Sequence, residues 1–166
     1  TDNGADIISM SFGGGGSSDT IRNAINYAHE HGVVLIAAAG NDNTDSISYP
    51  AGYDGVIAVA ATAQDNSRAY YSNYGSWVDV AAPGGDYHKD SMILSTVPLN
   101  GTLSNPTGYM ALQGTSMACP YVAGEAALLL SQDSGYTPEQ IKSVIKRSAR
   151  AVNTDHYIGT GVIDLF

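Results

Sequence analysis

Val33-Val34-Leu35-Ile36-Ala37-Ala38-Ala39-Gly40-Asn41-Asp42 is the stretch that decides the fold class. An unbroken apolar run of this length, with no polar alternation, marks a strand covered on both faces, as in a parallel sheet held between helices. Val56-Ile57-Ala58-Val59-Ala60-Ala61 repeats the pattern, and further runs of strand length lie at Ile7 to Ser11, Val78 to Ala82 and Met92 to Val97. From Asp19 to His31, Ile21, Ala24, Ile25 and Ala28 recur at helical spacing behind a Ser17-Ser18-Asp19 cap. A second helix is predicted over Ser116 to Gln132, apolar almost all round and therefore buried in a core. Thr137-Pro138-Glu139-Gln140 places Pro at the first helical position behind a capping Thr, opening a short amphipathic helix to about Ala149. The tail from Tyr157 to Phe166, with Gly159 and Gly161, reads as a small hairpin. No repeat, linker or low-complexity segment interrupts the series, so the chain reads as one α/β layered unit.

Composition narrows the partners. The chain has 166 residues, enough for one domain with a real core. Its 16 acidic residues against 7 Lys plus Arg give a net charge of −9, which argues against nucleic acid or an anionic membrane as partner. Charged residues are only 14%, where roughly 25% is usual, and the 19 glycines point to tight turns and close backbone approaches. No apolar run reaches the roughly 18 residues of a membrane span. The lone Cys119 rules out an internal disulfide framework. The chain opens on Thr1-Asp2-Asn3-Gly4 without a leader pattern, which leaves its compartment open.

Gly114-Thr115-Ser116-Met117-Ala118 is the sharpest chemical feature. A serine at the mouth of an apolar helix presents its hydroxyl beside unpaired N–H groups and the positive end of the helix dipole, where a developing oxyanion needs them. The same position also suits a plain helix cap, which is the commoner use of serine there. Pro120 is tolerated only near a helix start and fits both readings. Asn41, at the C-terminal end of a parallel strand, stands where α/β folds place their sites, although Asn is equally a turn residue. Gly13-Gly14-Gly15-Gly16 invites a phosphate-loop reading and a small nucleotide-binding domain. The third glycine of that pattern would fall at Ser18, and no Gly-Lys-Ser/Thr follows, so a flexible turn is the better account. The four histidines, His29, His31, His88 and His156, have no metal-ligand spacing, and the first two read as the solvated end of a helix. Met10, Met92, Met110 and Met117 read as core filler.

Together these segments resemble the subtilisin-like serine proteases. Gly114 through Gly124 (Gly-Thr-Ser-Met-Ala-Cys-Pro-Tyr-Val-Ala-Gly) is similar to the family's nucleophile signature, and Ala37-Ala38-Ala39-Gly40-Asn41 to the segment of its oxyanion-hole asparagine. Ile8 to Gly14, Tyr49-Pro50-Ala51, Val56 to Val59 and Trp77 to Gly84 match further family segments in the expected order. The resemblance implies a three-layer α/β fold with a parallel sheet, represented by its C-terminal half, and serine endopeptidase chemistry through an acyl-enzyme on Ser116. It implies that the Asn41 side chain and the Ser116 N–H hold the oxyanion. It further implies that Ser11, Phe12 and Gly13 add the substrate as an extra strand. Ala38, Ala39, Gly40 and Ser48, together with Gly114, would contact the substrate, with Ser48 at the floor of a roomy, uncharged pocket of broad specificity. Phe12 would favour apolar side chains in the groove. The reaction requires no cofactor. Structural calcium is implied as a family habit, with carbonyls near Ala51, Tyr53 and Val56 and the Asp79 carboxylate as a weak candidate site, beside the plainer reading of Asp79 as a polar surface residue. A polypeptide substrate and secretion to the cell exterior are implied as well.

The chain departs from the pattern in two places. Tyr121 stands where the family has His in Pro-His-Val-Ala-Gly, which touches helix packing more than chemistry. More seriously, neither the family's His-Gly-Thr motif, which carries the base, nor its Asp-Ser/Thr-Gly motif is present. A serine hydroxyl without a base is a poor nucleophile at neutral pH. The expectation is therefore a C-terminal portion of one catalytic domain, inactive and marginally folded alone, whose partner is the missing N-terminal half. The rival is a pseudoprotease or regulatory subunit that keeps the fold.

Overall fold

The computed structural model describes residues 1–164. In chain order the elements are β1 (Ile7–Met10), α1 (Asp19–Glu30), β2 (Val34–Ala38), β3 (Val56–Thr62), β4 (Val80–Pro83), a 3₁₀ turn (Tyr87–Lys89), β5 (Ile93–Thr96), β6 (Tyr109–Leu112), α2 (Thr115–Gln132) and α3 (Pro138–Ser148). Strands β1 to β4 pair in sequence order, all parallel, with Ile7 opposite Val34, Leu35 opposite Val56 and Val59 opposite Val80.

The period of two along a strand sorts the side chains into layers. Leu35, Ala37, Val56 and Ala58 pack with Ile25 and Ala28 of α1. Val34, Ile36, Ala38, Ile57, Val59 and Ala61 pack on the opposite side with Ala118, Cys119, Val122 and Ala126 of α2 and Ile141 and Ile145 of α3. β2 and β3 are buried on both faces, as their continuous apolar sequence requires. Each fully buried aliphatic here, such as Ile36 or Ile141, contributes roughly 1.5–3 kcal/mol. The result is the expected three-layer α/β architecture with a parallel sheet.

Several expectations are corrected. The run from Met92 to Val97 leaves the main sheet: β5 pairs antiparallel with β6, an unforeseen strand, with Ile93 opposite Leu112. Met92 is exposed rather than core. Ser18 caps α1 only by position, since its side chain makes no capping hydrogen bond; its N–H donates to the Tyr53 hydroxyl, which in turn donates to the Ser18 carbonyl. Thr137 does form the full capping box with Gln140. His29 is not at a solvated end, since its Nε2 lies 2.8 Å from Glu139 Oε1 of α3. The tail forms no hairpin of its own among the described residues. Val162 bridges Ala81 in parallel and Arg150 in antiparallel fashion, and Leu165 and Phe166 lie outside the described residues. Helix α2 is not covered all round: Tyr121 is 43% and Leu128 54% exposed on one side, while Ala118, Cys119, Val122 and Ala126 face the core.

One buried charge sits awkwardly in α2. Glu125 is buried, and its Oε2 finds no partner among the described residues, while Oε1 accepts a 3.4 Å hydrogen bond from the Ser148 hydroxyl. Burial holds its carboxyl above the ordinary value of 4.5, Ser148 opposes this, and the Asp164 charge adds to it. The folded state therefore binds this proton more tightly than the unfolded chain, so its contribution is present below pH 4.5 and is lost as pH rises from there through the raised value. We expect E125Q to match the wild-type thermal midpoint in acid and exceed it at neutral pH and above, by the equivalent of about 1–3 kcal/mol. A pH series of melting curves reads the divergence.

Candidate active site

β2 delivers its last residues to the C-terminal edge of the sheet, and the chain leaves it through Gly40 and Asn41. Asn73 fixes this turn: its Oδ1 accepts from the N–H groups of Asp42 (2.9 Å) and Thr44 (3.4 Å), and its Nδ2 donates to the Ala39 carbonyl (2.9 Å). Asn73 is a fully buried support that no local sequence pattern announces.

α2 begins opposite. Its N-cap is Gly114, at φ 149°, a conformation that favours glycine. Ser116 is thus the second helical residue rather than the cap, which corrects the capping reading. Thr115 joins the two elements. Its N–H and its hydroxyl both donate to Asn41 Oδ1 at 2.9 Å, and its Oγ1 accepts from the Gly40 N–H at 3.1 Å. With the acceptor side of the carboxamide committed to Thr115, its NH₂ is left to point outward. A Cβ placed on Gly114 would stand 3.6 Å from Asn41 Nδ2, 3.6 Å from the Ser116 N and 3.6 Å from Met117 Sδ. Two hydrogen-bond donors thus flank one small space, and the Ser116 N–H takes no partner among the described residues. The Ser116 hydroxyl donates to the Ser11 carbonyl at 3.2 Å, and the Ser11 hydroxyl returns a 2.9 Å bond to the Ser116 carbonyl.

A cavity of about 310 Å³ opens here, lined by Ser11, Phe12, Gly13, Ala38, Gly40, Asn41, Ser48 and Ser116, and also by Asp42, so the lining is not the uncharged one expected. Ser48 is buried within it, its Oγ 2.9 Å from where a Cβ on Gly13 would sit. The backbone N–H and carbonyl groups of Phe12 and Gly13 take no partner among the described residues, and the Phe12 ring is exposed. Two predicted residues fall elsewhere. Ala39 points to the other side and packs with Ala60, Val78, Ala81, Ile158 and Val162. Alternation along an extended chain requires this, because Ala38 and Ala39 cannot share a face. Gly114 does not line the cavity but shapes its edge as the helix cap.

None of the histidines touches Ser116: His29 pairs with Glu139, His31 with the Tyr27 carbonyl, and His88 and His156 pack on Tyr70 and Tyr74. A second cavity of about 280 Å³, lined by Ile93, Leu94, Ser95, Ser116, Met117, Pro120 and Tyr121, reaches the same serine from the β5 side. Tyr121, the departure from the family's His, therefore borders the site rather than the core. Cys119 lies beneath, buried, with the pKa of its thiol pushed up by burial.

Asp79 also departs from expectation. It is only 7% exposed, not a surface residue, and its oxygens are already engaged: Lys142 and Lys146 each lie 2.8 Å away and the Ala58 N–H donates to Oδ2 at 3.0 Å. The Tyr53 carbonyl is taken by the Val56 N–H and the Val56 carbonyl by Lys142 Nζ. These residues do not fit a calcium ion, which takes six to eight oxygens.

A parallel sheet under a central helix that opens on a serine, with a strand-end amide beside it, is the architecture of a subtilisin-like hydrolase. The sequence profile of the Subtilase family matches residues 1–161, and the chain belongs to that family, whose proteases are serine endopeptidases. Subtilisin BL of Lederbergia lenta is 37% identical over 162 residues, which cover 98% of this chain and 55% of that protein. An extracellular protease of Xanthomonas campestris pv. campestris is 45% identical over 153 residues, 90% of this chain and 25% of that one. Among solved structures, a protease from Pseudoalteromonas arctica superposes with a TM-score of 0.88 at 44% identity, covering 99% of this chain and 50% of its own. A cold-adapted subtilisin-like serine proteinase gives a TM-score of 0.78 at 36% identity, covering 93% and 52%. The chain spans 55% of subtilisin BL and 25% of the Xanthomonas protease.

The Thr115 bridge yields a direct test. T115V keeps the shape but leaves the Gly40 N–H without its acceptor and Asn41 Oδ1 with one donor fewer. We expect a loss of about 1–3 kcal/mol in stability, read by denaturant unfolding, with T115S close to wild type.

Proposed function

We propose that this chain is the C-terminal part of a subtilase catalytic domain, and that the complete domain is a serine endopeptidase acting outside the cell on polypeptides. The observation that carries the reading is that Asn41 Nδ2 and the Ser116 N flank one space, each 3.6 Å from where a Cβ on Gly114 would stand, at the helix turn that bears the Ser116 hydroxyl. Ser116 Oγ attacks the scissile carbonyl, and its oxygen, as it becomes negative, moves between those two donors. Donors already in place cost no reorganisation at the moment of reaction, which is why such a pair lowers a barrier. The free backbone groups of Phe12 and Gly13 hold the substrate as an added strand. The side chain before the cut enters the cavity over Ser48, flanked by Ala38 and Gly40, with Asp42 as the one ionisable residue of its lining. Among the described residues no helix is long and apolar enough to cross a membrane.

The proton of Ser116 needs an acceptor stronger than the Ser11 carbonyl. The four histidines of this chain lie elsewhere, so the base and its orienting carboxylate belong to the remaining part of the domain. The 166 residues alone are then inactive. The same observation favours one other reading, a subtilase-fold binding subunit that never receives a base.

A fluorophosphonate probe separates the two. The complete protein is expected to label at Ser116 and to lose labelling and proteolysis in S116A, whereas a binding subunit does not label in either form. N41A should lower kcat by roughly 10²–10³ with little change in KM, a scale measured on a subtilisin's own oxyanion asparagine. Full activity of N41A in a peptide-hydrolysis assay would remove the oxyanion role.

A further inference from the structure

The site where family habit puts a metal ion is built differently here. Asp79 lies just before β4, tied into the sheet by its own N–H to the Ala58 carbonyl (3.0 Å) and by the Ala58 N–H to its Oδ2 (3.0 Å). Lys142 and Lys146 stand four residues apart on α3, so both side chains leave the same face of the helix and descend on this carboxylate. Lys146 Nζ reaches Oδ1 and Lys142 Nζ reaches Oδ2, each at 2.8 Å, and Lys142 Nζ also donates to the Val56 carbonyl at 2.8 Å. The Lys142 ammonium thus sits between a carboxylate oxygen and a backbone carbonyl, as a bound cation would.

We infer that this pocket carries its own cation: the tethered ammonium of Lys142, backed by Lys146, fills the place of a metal ion, and the protein binds no calcium there. One carboxylate faces two ammonium groups, so the locus is already positive before an ion arrives. Arg147 borders the adjoining cavity, and the one other carboxylate there, Glu139, is engaged by His29. A divalent ion approaching within 4 Å of an ammonium meets repulsion of several kcal/mol in this partly exposed setting. A side-chain cation on a short stem is present at an effective concentration of millimolar or more, and it leaves only when the helix leaves. The arrangement couples α3 to the β3–β4 edge without dependence on calcium supply.

The test compares melting midpoints in chelator and in calcium for the full-length protein and its K142A/K146A and K142A/K146A/D79N variants. Wild type and the triple variant should respond alike, whatever other sites contribute. The double variant, with a bare carboxylate, should gain a further rise of about 3 °C or more at roughly ten times its calcium dissociation constant. A double variant that responds no more than wild type, or no more than the triple variant, overturns the inference. Folding of the double variant in calcium but not in chelator counts as the expected gain. Should it fold in neither, wild type and D79N decide: a calcium response that D79N removes overturns the proposal, and equal responses uphold it.

Discussion

Asn41 Oδ1 accepts two hydrogen bonds from a single residue, Thr115, and this double acceptance joins the turn after a fully buried strand to the first turn of the central helix. A carboxamide has one acceptor side and one donor side. Rotating it by half a turn would set its NH₂ against the Thr115 N–H, donor against donor. The orientation of the amide is therefore fixed by the network and not left to solvent. Neither anchor can drift, because β2 is buried throughout and the inner face of α2 packs on β2 and β3. The geometry around Ser116 inherits its order from that join.

Elsewhere the chain shows how differently buried carboxylates can be handled. Asp79 is met by two lysines and a backbone N–H, and its desolvation is offset by contacts of good length. Glu125 is comparably buried and has one long hydroxyl contact, with a second carboxylate near. Two acids of similar burial thus take opposite parts, one joining elements and the other holding a cost inside the helix that bears the serine. The net charge of −9 conveys nothing of this, because what matters is which cation each acid can reach.

The fold was legible where burial leaves a continuous mark. β2 and β3 are covered on both faces, and their unbroken Val, Ile, Leu and Ala runs stated this outright. β6 was missed because Tyr109 to Leu112 lies in a segment of Gly, Asn, Pro and Thr and is only half covered. The tail was misread because its Gly159 and Gly161 serve close packing rather than a turn: a Cβ on Gly159 would come within 2.3 Å of the Asp79 backbone. At the site, Ser116 and Asn41 could be found by motif. Ala39 faces away from the cavity, as alternation next to Ala38 requires. Thr115, Asn73 and the partners of Asp79 depend on contacts 21 to 75 residues apart, which local patterning does not encode. Lys142 and Lys146 share one face of α3, a spacing that says nothing of the carboxylate they meet.

The reciprocal bonds between Ser11 and Ser116 have a kinetic meaning. A backbone carbonyl can hold a hydroxyl in place but has far too little basicity to deprotonate it, so the oxygen at position 116 is berthed rather than armed. Freeing it takes rotation about one carbon–carbon bond, a picosecond-to-nanosecond event for an unencumbered side chain. On the proposed reading, what position 116 awaits is a proton acceptor, since a single torsion releases its side chain.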